Sequence, residues 1–315
     1  MDNIQGHHHV SMITKDVQLN NEFYSDILGL RRVKVTVNQD DPSMYHIFYG
    51  DKTGSPGTEL SFFEMKNVGQ TYRGTNAITK IVLLLPSKES LTYWKKRLDE
   101  FSIKHSGLTT YANRPTILFE DKEGLRLALT VDDGSKVDLW ENWEDSPVPR
   151  EHQIMGIGPI ELTARRPEKL ERTLIDLFKF TKVSEGESET VYQSVAGEPF
   201  GEIVVTYEEG KREKPGRGSV HHIAIRAKDV KELHVWDKLV RDYGFRSTGV
   251  IDRFYFHSLY FRESNGILFE IATDGPGFIV DGDIEKLGEQ LDLPDFLEKH
   301  REEIVANITP IKGLS

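Results

Sequence analysis

The chain is predicted to be an α+β protein built from four βαβββ modules that pair into two domains with cup-shaped mixed sheets. Three observations carry this expectation. A strand-helix-strands order recurs four times at roughly 60–80 residues, longer than solenoid periods and the size of a small folding unit. A length of 315 residues is too great for one ordinary core. A helix on a short sheet with one polar concave face cannot bury its surface alone, so the modules should pair.

Module 1 spans 6–66. His7 to Ile13 alternates like a strand. "DVQLNNEFYSDILGL" from Asp16 places Val17, Phe23, Ile27 and Leu28 at helical spacing, with Gly29 as a stop. Strands are expected over Arg31–Val37, Met44–Tyr49 and Thr58–Phe63, with Gly and Pro turns between them. Module 2 spans 75–132. It reads as a strand over Ala77–Leu85, a helix over Lys88–Phe101 and a hairpin over "RPTILFEDKEGLRLALT". An acidic, Pro-containing, aperiodic stretch at 133–154 reads as the linker.

Module 3 spans 155–209, with a strand over Ile157–Ala164, a helix over Pro167–Phe178 and strands to Tyr207. Module 4 spans 217–274, with a strand over Val220–Ala227, a helix over Val230–Tyr243 and a hairpin around Asn265-Gly266. A C-terminal helical extension is expected at 284–307, interrupted by Gly288 and Pro294.

Composition narrows the function. The formal net charge of −11 argues against nucleic acid as a partner, and the run Lys211–Arg217 reads as a solvated loop. The longest apolar stretch, Ile81–Leu85, is far too short to span a bilayer, and no secretory signal is visible. Cysteine is absent, which excludes thiolate metal sites and fits a reducing cytoplasm. A small neutral or weakly acidic partner is compatible with these features, as is a homo-oligomer.

The chemistry-bearing residues stand at equivalent places in modules 1 and 4. His8-His9 in "GHHHVSMIT" and His221-His222 in "SVHHIAIRA" open the first strands, and Glu270 in "GILFEIAT" lies four residues after the turn glycine Gly266. One such doublet alone is more often a surface or core pair. Two at equivalent positions, with a carboxylate, reverse that weighting. Period-two alternation puts His9 with Ser11 and Ile13 on one face, and His222 with Ala224 and Arg226. The reading is that His9, His222 and Glu270 are metal ligands, and that His8 and His221 orient substrate or carry a proton.

Two imidazoles and one carboxylate with open positions suit Fe(II) and dioxygen chemistry, with Mn(II) and Zn(II) as the alternatives. For the three to meet, module 1 must pack on module 4 and module 2 on module 3. The turn alignment puts Ser61, four residues after Gly57, where module 4 has Glu270.

The strands "HHHVSM" and "HHIAIRA", the segment "SLYFRESNGILFEIATD" and "YHIFYGDKTGSPGTELSFF" resemble the vicinal oxygen chelate (glyoxalase/bleomycin resistance/dioxygenase) superfamily, in particular its hydroquinone-type ring-cleaving dioxygenases. The likeness covers nearly the whole chain. It implies an Fe(II)-dependent extradiol-type enzyme that inserts O2 into a hydroquinone or catechol-type aromatic diol. It further implies catalytic roles for His8, His221, Arg253 and Tyr260, with Arg253 near the substrate and Tyr260 bonding the reacting group. His257 departs from the family pattern, and His46 in "MYHIFYG" is kept as a pocket candidate. Two other functions share the fold. A glyoxalase-type isomerase or lyase needs a fourth ligand from Glu59 or Glu64, and a sequestering protein binds a small molecule without turnover. Trp94, Trp140, Trp143 and Trp236 are assigned to packing.

Overall fold

The computed structural model describes residues 6–131 and 140–314. Residues 133–139 of the expected linker, and 132 at the end of module 2, lie outside the described residues. Module 1 supplies β1 (His7–Thr14), α1 (Val17–Asn21), β2 (Arg31–Asn38), β3 (Asp41–Gly50) and β4 (Glu59–Glu64). Module 2 supplies β5 (Ala77–Leu85), α2 (Lys88–Glu100), β6 (His105–Tyr111), β7 (Arg114–Glu120) and β8 (Arg126–Val131). Module 3 contributes β9 (Gly156–Ala164), α3 (Pro167–Arg172), β10 (Thr181–Glu185), β11 (Glu189–Gln193) and β12 (Glu202–Tyr207). Module 4 contributes β13 (Val220–Ala227), α4 (Val230–Asp242), β14 (Ile251–Asp252), β15 (Phe256–Arg262) and β16 (Leu268–Pro276).

These strands form two eight-stranded sheets, ordered β14-β15-β16-β13-β1-β4-β3-β2 and β10-β11-β12-β9-β5-β8-β7-β6. Modules 1 and 4 therefore share one sheet, and modules 2 and 3 the other. Each sheet is mixed. Its two central strands run antiparallel, β1 on β13 and β5 on β9, and each then pairs in parallel with the last strand of its own module. The helices cover the convex faces, where Trp94, Leu98, Leu174, Leu233 and Trp236 are buried against strand residues such as Ile81, Ile160, Val10 and Ile223.

Side-chain caps begin the helices where the sequence supplies them. Asp16 accepts from the backbone N–H groups of Gln18 and Leu19, Ser87 from Ser90, and Asp229 from Glu232. The expected continuous helices of modules 1 and 3 are shorter than the periodicity implies. Each changes after one α turn to a π-helical turn, over Glu22–Ile27 and Thr173–Leu177.

Two further expectations are corrected. Module 2 holds three strands after its helix, because β6 precedes the predicted hairpin. Its sequence "HSGLTTY" alternates exposed with half-buried residues at the sheet edge, so it carries no apolar stripe to reveal it. The C-terminal extension is mostly irregular, with α5 (Asp295–Glu298), α6 (Arg301–Asn307) and a 3-10 turn at Ile284–Lys286. It lies flat on β2: a side chain on Gly288 would sit 1.8 Å from the Arg32 carbonyl oxygen, and Gly288 has φ +75°. The buried Lys34 ammonium ties this segment down, 2.8 Å from Asp281 and 2.7 Å from Asp292.

Candidate metal centre

The antiparallel seam between β1 and β13 sets the site. It joins two first strands head to tail, so that equivalent residues approach one another across the concave face. His9 Nε2 and His222 Nε2 come within 3.3 Å, and Glu270 Oε2 lies 3.2 Å from the first and 2.7 Å from the second. All three side chains are buried. The structure thus brings His9, His222 and Glu270 to one point from three strands.

Hydrogen bonding shows which atoms face that point. His8 Nε2 lies 3.0 Å from the Thr273 carbonyl oxygen, which can only accept, so His8 carries its proton there. Burial, with His9 beside it, holds His8 well below the ordinary imidazole range and therefore neutral. Its Nδ1 is then an acceptor, 3.0 Å from His9 Nδ1, and His9 must donate from that atom. His9 Nε2 is left with a bare lone pair facing Glu270. The second doublet repeats the contact, with His221 Nδ1 2.8 Å from His222 Nδ1.

Glu270 Oε2 has no hydrogen-bond partner of acceptable angle, although two imidazoles stand close to it. Burial opposes its charge, and a proton on His9 or His222 outweighs that and holds the carboxyl well below the usual range; with the rings neutral, a bound cation would take that part. Ser258 Oγ donates to the other oxygen, Oε1, at 2.5 Å. If His222 shares the tautomer of His9, two Nε2 lone pairs and a carboxylate oxygen converge in a dry site, a set of acceptors that a divalent cation fits. Nitrogen and oxygen donors without sulfur suit Fe(II), Mn(II) or Zn(II) alike.

A cavity of about 380 Å3 opens over these atoms, within the range of small-molecule sites. Phe48, Phe63, Met65 and Phe256 give it apolar walls, and His46, His221, Arg253, Tyr260 and Thr248 give it polar ones. Tyr260 pairs with Glu270 across the β15–β16 ladder, so its side chain shares the Glu270 face. Burial, and then the Glu270 charge, push its phenol above the ordinary value. The Arg253 guanidinium lies 5.5 Å from the centre of the Tyr260 ring and pairs with the exposed Asp40 at 3.1 Å.

His221 lines the cavity, and desolvation with His222 beside it pushes its ring down to about 4. His8 does not line it. It faces a second cavity of about 200 Å3 with Glu59, Tyr255 and Phe278. His46 enters the main cavity between Phe48 and Phe63, each ring 4.1 Å away, whereas His257 lies outside it. Alternation places Ser11 on the ligand face without suggesting a contact. Phe48, Phe63 and Phe256 pass for core in the sequence, since an aromatic residue on a strand looks the same whether it faces a core or a cavity.

A profile of the Glyoxalase/Bleomycin resistance protein/Dioxygenase superfamily matches residues 6–129. A Bacillus subtilis (strain 168) protein named "Putative ring-cleaving dioxygenase MhqA" is 44% identical over 98% of this chain and 99% of its own length. The chlorohydroquinone/hydroquinone 1,2-dioxygenase of Sphingobium indicum is 27% identical over 96% of each chain. The crystal structure of a "putative dioxygenase" from Bacillus subtilis superimposes with a TM-score of 0.92 at 33% identity, covering 99% of each chain. Identity at this level along the whole length, with the same two-sheet architecture, shows that the chain belongs to the glyoxalase/bleomycin resistance protein/dioxygenase superfamily.

Proposed function

We propose that the protein is a ring-cleaving dioxygenase that acts on a hydroquinone-type aromatic diol with Fe(II) held by His9, His222 and Glu270. The observation that carries this reading is the meeting of those three ligand atoms, with no fourth ligand beside them among the described residues, at the base of an aromatic-walled cavity. The names borne by its relatives support the reaction class, and one of them names hydroquinone. A lyase centre needs another carboxylate, and neither candidate is placed to supply it. Glu64 accepts from the Val17 N–H, and Glu59 lies on the His8 side of β1.

When bound, Fe(II) supplies a Lewis acid that lowers the pKa of a coordinated hydroxyl and a redox site for dioxygen. The remaining work falls to side chains of this chain. The apolar walls of Phe48, Phe63, Met65 and Phe256 exclude water and pack against the ring. Tyr260 keeps its proton at any working pH and donates from its hydroxyl to oxygen on the reacting carbon. Arg253 attracts the negative charge that develops as the diol is deprotonated. His221 is neutral at pH 7. If His222 uses Nε2 as a ligand it donates from Nδ1, which leaves the His221 proton on Nε2 at the cavity wall, ready for the opened ring.

The test is oxygen consumption by Fe(II)-loaded protein supplied with methylhydroquinone or catechol. The wild type should consume oxygen stoichiometrically with the diol, and His9→Ala should lose at least about 100-fold of that rate. Turnover of diol without oxygen uptake points to the lyase, and binding without turnover to a sequestering protein. Either result sinks the proposal.

A further inference from the structure

The two halves of the sheet that holds the candidate metal centre are related position by position, and they differ beside that centre. Two residues on from each ligand histidine stand Ser11 on β1 and Ala224 on β13. Ser11 pairs with Ser61, and Ala224 with Glu270. The neighbouring ladders agree, since Phe48 pairs with Ser61 and Tyr260 with Glu270. Ser61 therefore occupies in module 1 the place that Glu270 occupies in module 4. Its support is exchanged as well. Ser258 donates to Glu270 in one half, and in the other half His46, at the equivalent register, lies 3.2 Å from Ser61. Ser11 Oγ completes a chain 2.6 Å from Ser61 Oγ.

We infer that Ser11, Ser61 and His46 form a hydroxyl-recognition subsite on the unligated side of the centre, taking an oxygen of the aromatic diol. This rests on the diol reading above. Ser11 and His46 line the cavity, while Ser61 lies fully buried between them, so the chain runs from the cavity wall inward. Each link is reversible. When Ser61 donates to His46 Nε2, Ser11 donates to Ser61 and turns its lone pairs to the cavity, where they accept from a ring hydroxyl. When His46 carries its proton on Nε2, the chain reverses and Ser11 donates to a phenolate or a carbonyl oxygen. One uncharged chain thus recognises the oxygen both as the hydroxyl of the substrate and as the carbonyl of a cleaved product, with no net proton transfer. A carboxylate in the place of Ser61 could accept but not donate, and would itself bind the cation.

The two halves suggest the variants, since each residue introduced already stands at the equivalent place. Ser11→Ala copies Ala224, and Ser61→Glu copies Glu270. Anaerobic titration of the Fe(II) protein with methylhydroquinone should show Ser11→Ala binding about tenfold more weakly, with unchanged metal content, as expected for one lost hydrogen bond. Without diol, Mn(II) competition against a chromophoric chelator should show Ser61→Glu holding the ion at least about tenfold more tightly than wild type. Unchanged diol affinity in Ser11→Ala overturns the subsite, and unchanged or weaker Mn(II) affinity in Ser61→Glu overturns the placement of residue 61. If Ser61→Glu does not fold, Ser11→Ala decides alone. A wild type that binds no diol sinks the substrate reading instead, which separates the two failures.

Discussion

In the proposed centre His8 and His221 would do for their neighbours what a carboxylate or a backbone carbonyl does at many metal sites: each lies within hydrogen-bond distance of the far nitrogen of the next ring and can fix its tautomer. The first doublet shows the chain of cause most fully. The Thr273 carbonyl fixes the His8 proton, His8 fixes the His9 proton, and His9 Nε2 is left free to bind a cation. An imidazole released from that chain spends part of its time protonated on the wrong nitrogen. His8→Ala is expected to weaken Fe(II) or Mn(II) binding by about 10–100-fold with little change in fold, measured by chelator competition. An unchanged metal affinity would show that His9 needs no such partner.

The two sheets share a topology but close their concave faces differently. In the second sheet the place of the cavity is filled by charge. Glu161 on β9 accepts from Lys80 at 2.6 Å and from the Tyr111 hydroxyl at 2.9 Å, and Glu202 on β12 takes both nitrogens of Arg114. Burial opposes the Glu161 charge, but Lys80 outweighs it and holds the carboxyl below its usual range. Removing the cation leaves an uncompensated buried carboxylate. Lys80→Ala should therefore lower stability by about 3 kcal/mol in urea unfolding while metal content stays that of the wild type. A drop in metal content of the folded variant would mean that the two sheets are coupled in a way the contacts do not predict.

Across the whole molecule the halves are joined by interleaved chain as well as by packing. The segments following β4 and β12 pair through the bridges Gln70–Arg217, Tyr72–Lys214 and Thr75–Arg212. The Tyr24 hydroxyl of module 1 donates to Asp121 of module 2 at 3.0 Å. Burial pushes the Asp121 carboxyl up to about 6 from an ordinary value near 3.8. Between those values the folded state binds more protons than the unfolded state, so this group makes stability fall as pH rises through the window. Asp121→Asn should be spared that loss. Its stability relative to wild type should rise by about 1–3 kcal/mol between pH 4 and pH 6.5 and stay level above, read from denaturation midpoints. A flat difference would mean that Asp121 ionises in the fold as it does in a peptide. Among the described residues no helix is long and apolar enough to cross a membrane.

Much of this was legible along the chain. Amphipathic periodicity, capping residues and glycine stops are local signals, and they place β5 and β13 to the residue and α2 and α4 within one residue. The repeat itself exposed the equivalence of the histidine doublets and the opposition of Ser61 to Glu270. Signals failed where no single face is buried, as in β6, or where shape depends on a distant surface, as in the C-terminal strap over β2.

The amino-acid order by itself determined the module, its fourfold recurrence and the residue types available for a metal. The pairing of module 1 with module 4 follows from the sequence through the residues that must meet, and the sheets bear it out; folding in three dimensions set how closely His9 and His222 approach, 3.3 Å although they are 213 positions apart. It also decided that His8 turns away from the cavity and that His46 reaches Ser61. The physical reason is the same for each: periodicity says which face a side chain takes, whereas its partner across a seam is set by the burial of whole surfaces, which local sequence does not encode.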